Sequence, residues 1–438
     1  MQPIEGFSKL SKLEKIDFLV DQYLGKSQIK KETFKSFWVK NENEQKLFDE
    51  FSENTISNFI FPYGVVPNVL INGELLCVPM VIEESSVVAA ASKAAKFWLT
   101  RGGFKAKVIN TVKIGQVHMI WNGSKQAIEQ VFTNNKARLF EEMAPLEGNM
   151  KKRGGGIIDI ELHDKSELEP GLFQLFVKFN TCDAMGANFI NTILEALGRT
   201  FKHIVESESL DQGKELMVVM AILSNYTPDC VVRAEVSCPV EDLHDTSHGM
   251  MPEIFAEKFQ RALRIAHIDP HRATTHNKGI MNGIDAVVLA TGNDFRAIEA
   301  CAHTYAARDG QYRSLSKAEV KNGTFTFSLE IPLALGTVGG LTALHPMARL
   351  SLEMLGNPSA NKLMEITAVI GLAQNFAAVR SLVTSGIQKG HMKMHLMNIL
   401  KHFEASEDEI EKAKMHFENE IVSFKAVRDL LALMRNLQ

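Results

Sequence analysis

The chain of 438 residues has few of the features that mark metal-binding, secreted or membrane-embedded proteins. Its five cysteines are scattered without a CxxC pair, which argues against a zinc site or a disulfide framework and favours buried free thiols. No apolar run approaches the roughly 20 residues that cross a bilayer. Lys and Glu interrupt every apolar stretch of the N-terminus, unlike in a signal peptide. We therefore expect a cytoplasmic protein without a metal centre and without membrane contact.

Charge of one sign is also scarce. The formal net charge of −4 offers no electrostatic reason to bind nucleic acid. A content of 45% hydrophobic and 23% charged residues is typical of a soluble globular protein, and the length predicts two or three domains.

Periodicity predicts an α+β fold. Between 105 and 223 the order is β-α-β-β-α-β, the split ferredoxin-like unit, without a GxGxxG loop after a strand. The predicted strands are 116–121, 156–163, 171–179 and 215–223, and the predicted helices are 125–142 and 184–205. A hairpin is expected at Asn72-Gly73, and helices predominate elsewhere. We expect a large, mostly helical domain (1–108 and 221–384), an inserted domain (109–220) and a C-terminal helical flap (385–438).

The segment 270–297 is unusually dense in polar side chains around two short apolar runs, of which 285–292 is expected to be a buried strand or the start of a helix. Lys278 stands among amides, with Asp294 sixteen residues later, which suggests a cation positioned to stabilise an oxyanion. A helix and loop rich in structural hydrogen bonds is the alternative. Similarly, Glu84 is read either as a site carboxylate or as a first-turn helix cap, and Asp294 as an N-cap before Phe295.

Four stretches read together resemble the 3-hydroxy-3-methylglutaryl-coenzyme A (HMG-CoA) reductases, in particular the soluble bacterial class II form. They are PMVIEESSVVAAAS (79–92), DAMGAN (183–188), THNKGIMNGID through TGND (275–294), and GTVGG (336–340) followed by GHMKMH (390–395). Each stretch alone is a weak signal, and the combination in this order is specific.

The resemblance implies two successive reductions of a thioester by a nicotinamide cofactor, giving mevalonate and free coenzyme A, or the reverse oxidation. It implies the catalytic residues Glu84, Lys278, Asp294 and His391. It further implies the substrate-binding residues Ser86, Arg272, Asn282 and Gln374. Ser86 and Arg272 are expected to hold the substrate carboxylate.

The chemistry explains these residue types. Hydride addition to a thioester places negative charge on oxygen, which Lys278 can stabilise or protonate, and Asp294 would orient the lysine. Glu84 can supply a proton if its surroundings keep it protonated. His391 suits protonation of the departing thiolate, because an ordinary histidine has a pKa of about 6.5 and a thiol one of about 8.5.

The resemblance assigns the dinucleotide to the DAMGAN and GTVGG segments. Asp183 is expected to cap a helix whose N-terminal amides favour a pyrophosphate, and Gly186 to let the backbone approach it. The implied cofactor-binding residues are Glu147, Asp183, Ala184, Met185, Gly186, Asn188, Gly336, Val338 and Gly339.

The choice between NADH and NADPH depends on the segment before Gly154-Gly155-Gly156. Glu147 would repel a 2′-phosphate, which favours NADH, whereas Lys151, Lys152 and Arg153 could bind one.

The sequence departs from the family pattern at two places. Ser85 replaces a proline, and Ser8 and Lys9 occupy the place where some members have an arginine that binds coenzyme A.

The resemblance also implies a homodimer with the active site at the subunit interface, and leaves assembly beyond the dimer open.

One rival function is that of a coenzyme A-binding protein of the same fold without catalysis, against which the intact catalytic set argues. A second rival is an acyl-coenzyme A reductase that works through a cysteine, and no cysteine here has a catalytic-looking context. His391 and His395 at i and i+4 could form half a metal site, but the HExxH glutamate and a third ligand are missing.

Overall fold

A computed structural model describes residues 3–208, 214–246, 249–384, 396–417, 420 and 422–436. The chain divides into two compact units, Met1–Pro62 and Tyr63–Gln438. This division falls inside the segment 1–108 that the sequence assigns to one domain, and the predicted domain boundaries stay a prediction.

The first unit is a small group of helices, α1 (Lys12–Tyr23), α2 (Gln28–Ser36) and α3 (Glu42–Asp49). A capping box begins α1, because the Ser11 hydroxyl accepts from the Glu14 amide while the Glu14 carboxylate accepts from the Ser11 amide at 2.7 Å. Lys12 joins α1 to α3 through an ion pair of 2.7 Å with Asp49.

The second unit opens with the predicted hairpin of β1 (Tyr63–Ile71) and β2 (Glu74–Val81). Asn72 and Gly73 both have positive φ, 52° and 89°, as a two-residue hairpin turn requires. The helix α4 (Val87–Leu99) follows and packs on β1. The hairpin and α4 lead directly into the candidate site, since Glu84 and Ser86 lie between them.

A four-stranded antiparallel sheet forms one side of the largest core. Its order is β3-β8-β10-β9, with β3 at Lys105–Val108, β8 at Val231–Pro239, β9 at Ser316–Lys321 and β10 at Thr324–Pro332. Of these strands the sequence predicted only β10, so the domain expected to be mostly helical also contains a sheet. The remaining helices of this region are α7 (Pro252–Ile268), α8 (Pro270–Ala290), α9 (Phe295–Ala306), α10 (Leu341–Leu344) and α11 (Pro346–Met354).

The long helix α12 (Ala360–Val383) runs through this core and packs against α8 and α4. By length and composition it could cross a membrane, which the sequence analysis did not anticipate. However, 72% of its apolar window is buried inside the protein, as in the core helix of a soluble protein. It positions α8, which carries Lys278.

The inserted sheet confirms the predicted β-α-β-β-α-β order. Its elements are β4 (Lys113–Trp121), α5 (Lys125–Lys151), β5 (Gly156–Asp164), β6 (Leu172–Asn180), α6 (Ala187–Ser207) and β7 (Leu216–Leu223). The strands are antiparallel in the order β5-β6-β4-β7, and buried apolar side chains between the sheet and the two helices form a core of their own. The helix α5 continues to Lys151, nine residues beyond the predicted end, and therefore includes Glu147.

Two further outcomes concern the C-terminal half. Residues 285–290 are the last six residues of α8, so the segment is helical but is the end of a helix, and neither the expected strand nor the expected helix start is found there. A third cluster of buried side chains joins a helix over 396–402 (α13), α14 (Glu407–His416) and α15 (Phe424–Asn436). This is the helical segment expected at the C-terminus, whereas the predicted hinge glycines Gly386 and Gly390 lie outside the described residues.

Candidate active site

Three of the predicted site residues meet through direct contacts. Glu84 lies on the loop between β2 and α4, where Ser86 is the N-cap residue of α4. The Ser86 hydroxyl donates to Glu84 Oε1 at 2.9 Å, and Lys278 Nζ donates to Glu84 Oε2 at 3.1 Å. Both carboxylate oxygens are therefore engaged, one by a cation 194 residues away in sequence. Glu84 precedes α4 and is not the first-turn cap of the alternative interpretation.

Lys278 projects from the exposed face of α8. Its side chain is 64% exposed, although the ammonium is held by Glu84. Asn282 lies one helical turn further along, on the same face, because residues four apart in a helix are neighbours. Arg272 lies in the first two turns of the same helix and is half-buried, and burial lowers the pKa of its guanidinium. One helix thus presents two cations and an amide.

The opposite face of α8 uses its polar groups for structure. His276 Nε2 lies 2.7 Å from the Ser316 hydroxyl, which donates to Asn375 Oδ1 at 2.7 Å. Asn277 accepts from the Leu315 amide at 3.1 Å. These groups are buried and hydrogen-bonded, so for this face the interpretation of the segment as a network of structural hydrogen bonds is correct. Within the described residues, His276 Nδ1 and Asn375 Nδ2 have no hydrogen-bond partner. Burial lowers the pKa of His276 to about 3, with Arg272 adding to the effect.

A glycine brings α8 close to the core helix. A Cβ on Gly283 would lie 2.7 Å from the carbonyl oxygen of Ile370 and 3.0 Å from Cβ of Gln374. Gln374 is only 5% exposed, and its Oε1 is buried without a hydrogen-bond partner among the described residues. A buried amide oxygen without a partner is costly, which fits the predicted position of Gln374 near a ligand.

Asp294 makes different contacts from those expected. It is the N-cap of α9, where Oδ1 accepts from the amides of Arg296 at 3.0 Å and Ala297 at 3.2 Å. Its carboxylate also forms an ion pair of 3.1 Å with the Arg296 side chain. Burial raises the pKa of Asp294, but the hydrogen bonds from Arg296 and Ala297 outweigh this and hold it below its usual range. The described contacts of Asp294 do not include Lys278.

The two predicted cofactor segments form one structure. The backbone of Asp183 accepts from the Thr337 amide at 2.8 Å, and Ala184 pairs with Val338 in a parallel bridge. A Cβ on Gly336 would lie 2.4 Å from the Met185 nitrogen, so only glycine permits this approach. The Gly336 amide in turn donates to Asn293 Oδ1 at 2.8 Å, which joins the TGND segment to the same loops.

The expected cap of α6 is wrong. Gly186, with a φ of 95°, is the N-cap residue, because the chain turns through the left-handed region just before the helix. Asp183 instead accepts at Oδ1 from the amide of Ala360, the first residue of α12, at 2.7 Å. The first turn of α6 therefore has no side-chain cap, and Asn188 in that turn is exposed, as are Val338 and Gly339.

Glu147, which the sequence analysis expected to face the cofactor, lies on the inner side of α5. The residue is fully buried, Oε1 accepts from the Ile157 amide at 2.5 Å, and Oε2 pairs with Lys151 at 2.8 Å. A Cβ on Gly156 would lie 2.6 Å from Glu147 Oε1, so this glycine makes room for the carboxylate. Through the hydrogen bond from the Ile157 amide, the buried carboxylate of Glu147 holds the turn of Gly154, Gly155 and Gly156 in place.

His391 and His395 lie outside the described residues. Within the described ranges, no group of three or more His, Cys, Asp or Glu side chains is placed to hold a metal ion. The five cysteines are free thiols, and Cys230, Cys238 and Cys301 are buried. Burial raises the pKa of Cys230 and of Cys238 to about 11, which disfavours the thiolate.

Sequence reasoning missed two cations. Arg296 follows Asp294 by two residues, and an arginine in the first turn after an aspartate cap was a usable local signal. Lys113 begins β4 and contacts the DAMGAN segment, with Nζ donating to the Ala184 carbonyl at 2.7 Å. No local pattern identifies Lys113, because its partners come from a segment 71 residues away.

Comparison with known proteins identifies the family of the chain. The family model for hydroxymethylglutaryl-coenzyme A reductase matches residues 15–396. The chain is 39% identical to the HMG-CoA reductase of Archaeoglobus fulgidus over 83% of this chain and 80% of that protein. It is 34% identical to the probable HMG-CoA reductase of Borreliella burgdorferi over 91% and 89% of the two chains.

Solved structures are similar as well. The class II HMG-CoA reductase of Streptococcus pneumoniae, bound to NADPH in open conformations, matches with a TM-score of 0.72 and 38% identity over 87% of this chain and all of that chain. Another structure of the Streptococcus pneumoniae enzyme matches with a TM-score of 0.73 and 36% identity over the full length of both. Fold, site and similarity define an NAD(P)H-dependent oxidoreductase. The chain belongs to the hydroxymethylglutaryl-coenzyme A reductase family, in its class II form.

Proposed function

We propose that this protein reduces HMG-CoA to mevalonate and free coenzyme A with two NAD(P)H, or catalyses the reverse oxidation, in the mevalonate pathway of isoprenoid synthesis. The observation that carries the proposal is the contact of Lys278 with Glu84, at 3.1 Å, in a member of this family. It places a cation and a carboxylate together on an open face of the molecule.

Each group has a chemical task. Lys278 stabilises the negative charge that develops on the thioester oxygen, because its ammonium is positioned and accessible. Glu84 is linked to Lys278 and Ser86, so it can pass a proton towards that oxygen. Asp294 Oδ2 accepts from the Arg296 side chain at 3.1 Å, and a carboxylate oxygen has two acceptor positions, so Oδ2 can also accept from Lys278.

The residues that would bind substrate lie on α8, on α12 and at the N-cap of α4. Arg272 and Ser86 offer a guanidinium and a hydroxyl to the substrate carboxylate, and Asn282 and Gln374 are amides on adjacent helices. His391, by the family resemblance, protonates the coenzyme A thiolate. His391→Gln should therefore slow the release of coenzyme A more than the reduction of mevaldehyde, and equal slowing of both steps would refute that role.

The joined loops of Asp183–Gly186 and Gly336–Gly339 fit a dinucleotide. Gly186 leaves the N-terminus of the 21-residue helix α6 without a side-chain cap, and helix N-terminal amides favour phosphate groups. Exposed Asn188, Val338 and Gly339 border this surface. When bound there, NAD(P)H supplies hydride, and the protein's own contribution is to hold and orient it.

We expect NADH to be the better cofactor, for a reason that differs from the sequence argument. Glu147 is buried and pairs with Lys151, so it engages one of the three cations that could bind a 2′-phosphate. The value of kcat/KM should be higher for NADH than for NADPH, and Glu147→Gln should reduce the difference. A strong preference of the unmodified protein for NADPH would defeat this explanation.

The decisive experiment follows the absorbance of the reduced nicotinamide when HMG-CoA is added to the purified protein. Stoichiometric loss of two reduced cofactors per thioester, with release of a free thiol, supports the proposal. Binding of the thioester without oxidation of either cofactor would favour the rival, a coenzyme A-binding protein of the same fold without catalysis.

We further propose a cytoplasmic homodimer with the active site at the subunit interface. The exposure of 64% of the Lys278 side chain supports a second subunit there, because oxyanion stabilisation is strongest where water is excluded. Light scattering should give at least twice the 48.8 kDa of one chain. A monomer with full activity would refute the interface.

A further inference from the structure

Lys113 is a buried cation that the catalytic assignments leave unused. It begins β4 and is only 5% exposed. Its Nζ donates to Thr181 Oγ1 at 2.6 Å and to the Ala184 carbonyl at 2.7 Å. Among the described residues no carboxylate forms an ion pair with it, and burial lowers the pKa of the ammonium. A buried cation without an anionic partner is costly, so its retention calls for a function.

The partners of Lys113 belong to the loop that leads into α6. Thr181 Oγ1 also donates to the Ala184 carbonyl at 2.7 Å, so the ammonium, the hydroxyl and the carbonyl are each hydrogen-bonded to the other two. The methyl group of Thr181 packs against Gly186, the N-cap residue of α6. A Cβ on Gly186 would lie 2.5 Å from that methyl group. Lys113 therefore holds Thr181 and Ala184 of the turn that precedes the helix, and Thr181 in turn lies against Gly186.

The position is also electrostatically significant. The first amides of α6 have no side-chain cap, and the N-terminal end of a helix is positive. Lys113 places an ammonium behind the same turn, and the charge of Asp183 partly opposes the lowering of its pKa by burial. A cavity of about 20 Å³ is lined by Lys113 together with Ala187 and Ala297, which lie at the starts of α6 and α9.

We propose that Lys113 is a positioning residue for the cofactor. It holds the loop from Thr181 to Gly186 in its binding conformation, and its charge favours the pyrophosphate of the dinucleotide at the α6 N-terminus. This inference rests on the proposed function, since it concerns the cofactor surface of that reaction.

The test compares Lys113→Met, which removes charge and donors at similar length, with Lys202→Met. Lys202 lies exposed on α6, pairs with Glu206 at 3.6 Å, and has no described contact with the loop. Each protein is titrated with ADP-ribose, which carries the pyrophosphate without nicotinamide, and is assayed with NADH and HMG-CoA. We expect Lys113→Met to raise the Kd for ADP-ribose and the KM for NADH about tenfold. The KM for HMG-CoA and the kcat at saturating NADH should change less than about threefold, and Lys202→Met should match the unmodified protein.

A second variant keeps the proposal testable if Lys113→Met does not fold. Thr181→Val preserves shape and the Lys113 charge but removes the hydroxyl between ammonium and carbonyl, and should raise the Kd for ADP-ribose by about threefold. Equal ADP-ribose affinity in the Lys113→Met, Thr181→Val and unmodified proteins would overturn the inference, as would a parallel rise in both KM values. Failure of the unmodified protein to bind either ADP-ribose or NADH would refute the proposed function itself, and this inference with it.

Discussion

At the scale of the residue, the contacting side chains of the candidate site are at least partly exposed and are held in position by hydrogen bonds and ion pairs. Lys278 is 64% exposed, yet its ammonium is fixed by Glu84, which Ser86 holds in turn. Exposed ion pairs contribute little to stability, at most about 1 kcal/mol. The pair is therefore better explained by chemistry than by folding.

This gives the first prediction. Lys278→Ala should lower kcat by about a hundredfold or more, because the oxyanion loses its cation. The unfolding midpoint should change little, since the side chain is exposed. Steady-state kinetics and thermal unfolding measure the two effects, with Lys317→Ala, another exposed lysine, as the control. Unchanged turnover would end the oxyanion role.

His276 shows the reverse case, a buried histidine whose role is structural. Its pKa is about 3 in the folded protein, against about 6.5 in an unfolded chain. The unfolded state therefore binds the proton first as the pH falls below 6.5. The folded state loses stability in that range, and the loss continues until the pH approaches 3.

We expect this histidine to remove about 2 kcal/mol of the free energy of unfolding between pH 6.5 and pH 5. Urea unfolding at several pH values measures the slope. In His276→Gln the slope should be shallower, even if the variant is less stable throughout. Replacing His203, an exposed histidine on α6, should leave the slope unchanged. Identical slopes in all three proteins would contradict the assignment.

At the scale of the element, α8 serves two purposes on two faces. Its outer face carries Lys278 and Asn282, and its inner face packs on α12 through Gly283. The 21-residue helix is held in place because His276 and Asn277 on its inner face hydrogen-bond to the segment around Leu315 and Ser316. Site geometry therefore depends on the contact between α8 and α12.

Gly283→Ala should destabilise the protein by about 1–3 kcal/mol, because the added Cβ would meet the Ile370 carbonyl at 2.7 Å. Gly279→Ala, on the same helix, has nothing within 4 Å of the added atom and should be neutral or stabilising by up to about 1 kcal/mol. Chemical unfolding of both variants decides the matter. If the two substitutions have equal effects, close packing at Gly283 is not what sets the distance between the helices.

At the scale of the whole molecule, the second unit places an inserted antiparallel sheet beside a core of sheet and helices, and loops from both regions meet at Asp183 and Gly336. Asn293 connects this junction to the end of α8 and the start of α9. The loops proposed to bind the cofactor and the helix that carries Lys278 are thus parts of one connected framework.

The cysteines supply the prediction at this scale. Cys77 and Cys182 are the two that are not buried, so a covalent thioester mechanism would need one of them. A protein with Cys77→Ser and Cys182→Ser should retain kcat within about threefold. Loss of a true nucleophile would lower it by more than about a thousandfold, and that result would favour the rival cysteine-dependent reductase.

Much of the fold was predictable from local pattern. The alternating strands of the inserted sheet, the hairpin at Asn72-Gly73 and the capping box at Ser11 were all expected, since period, turn residues and caps are short-range signals. The strand β8 and the burial of α12 were not, because a central strand and a core helix differ from other apolar segments only in what packs around them.

The sequence by itself determined the chemical inventory: which cations, carboxylates and glycines the site contains, and which family they belong to. Only the tertiary structure decided the pairings, because each joins segments far apart in sequence. It brought Lys278 into contact with Glu84, and Asp183 into contact with the first amide of α12. It also turned Glu147 inward and placed Lys113 behind the cofactor loop. Residue type limits which contacts can form, and packing selects those that do.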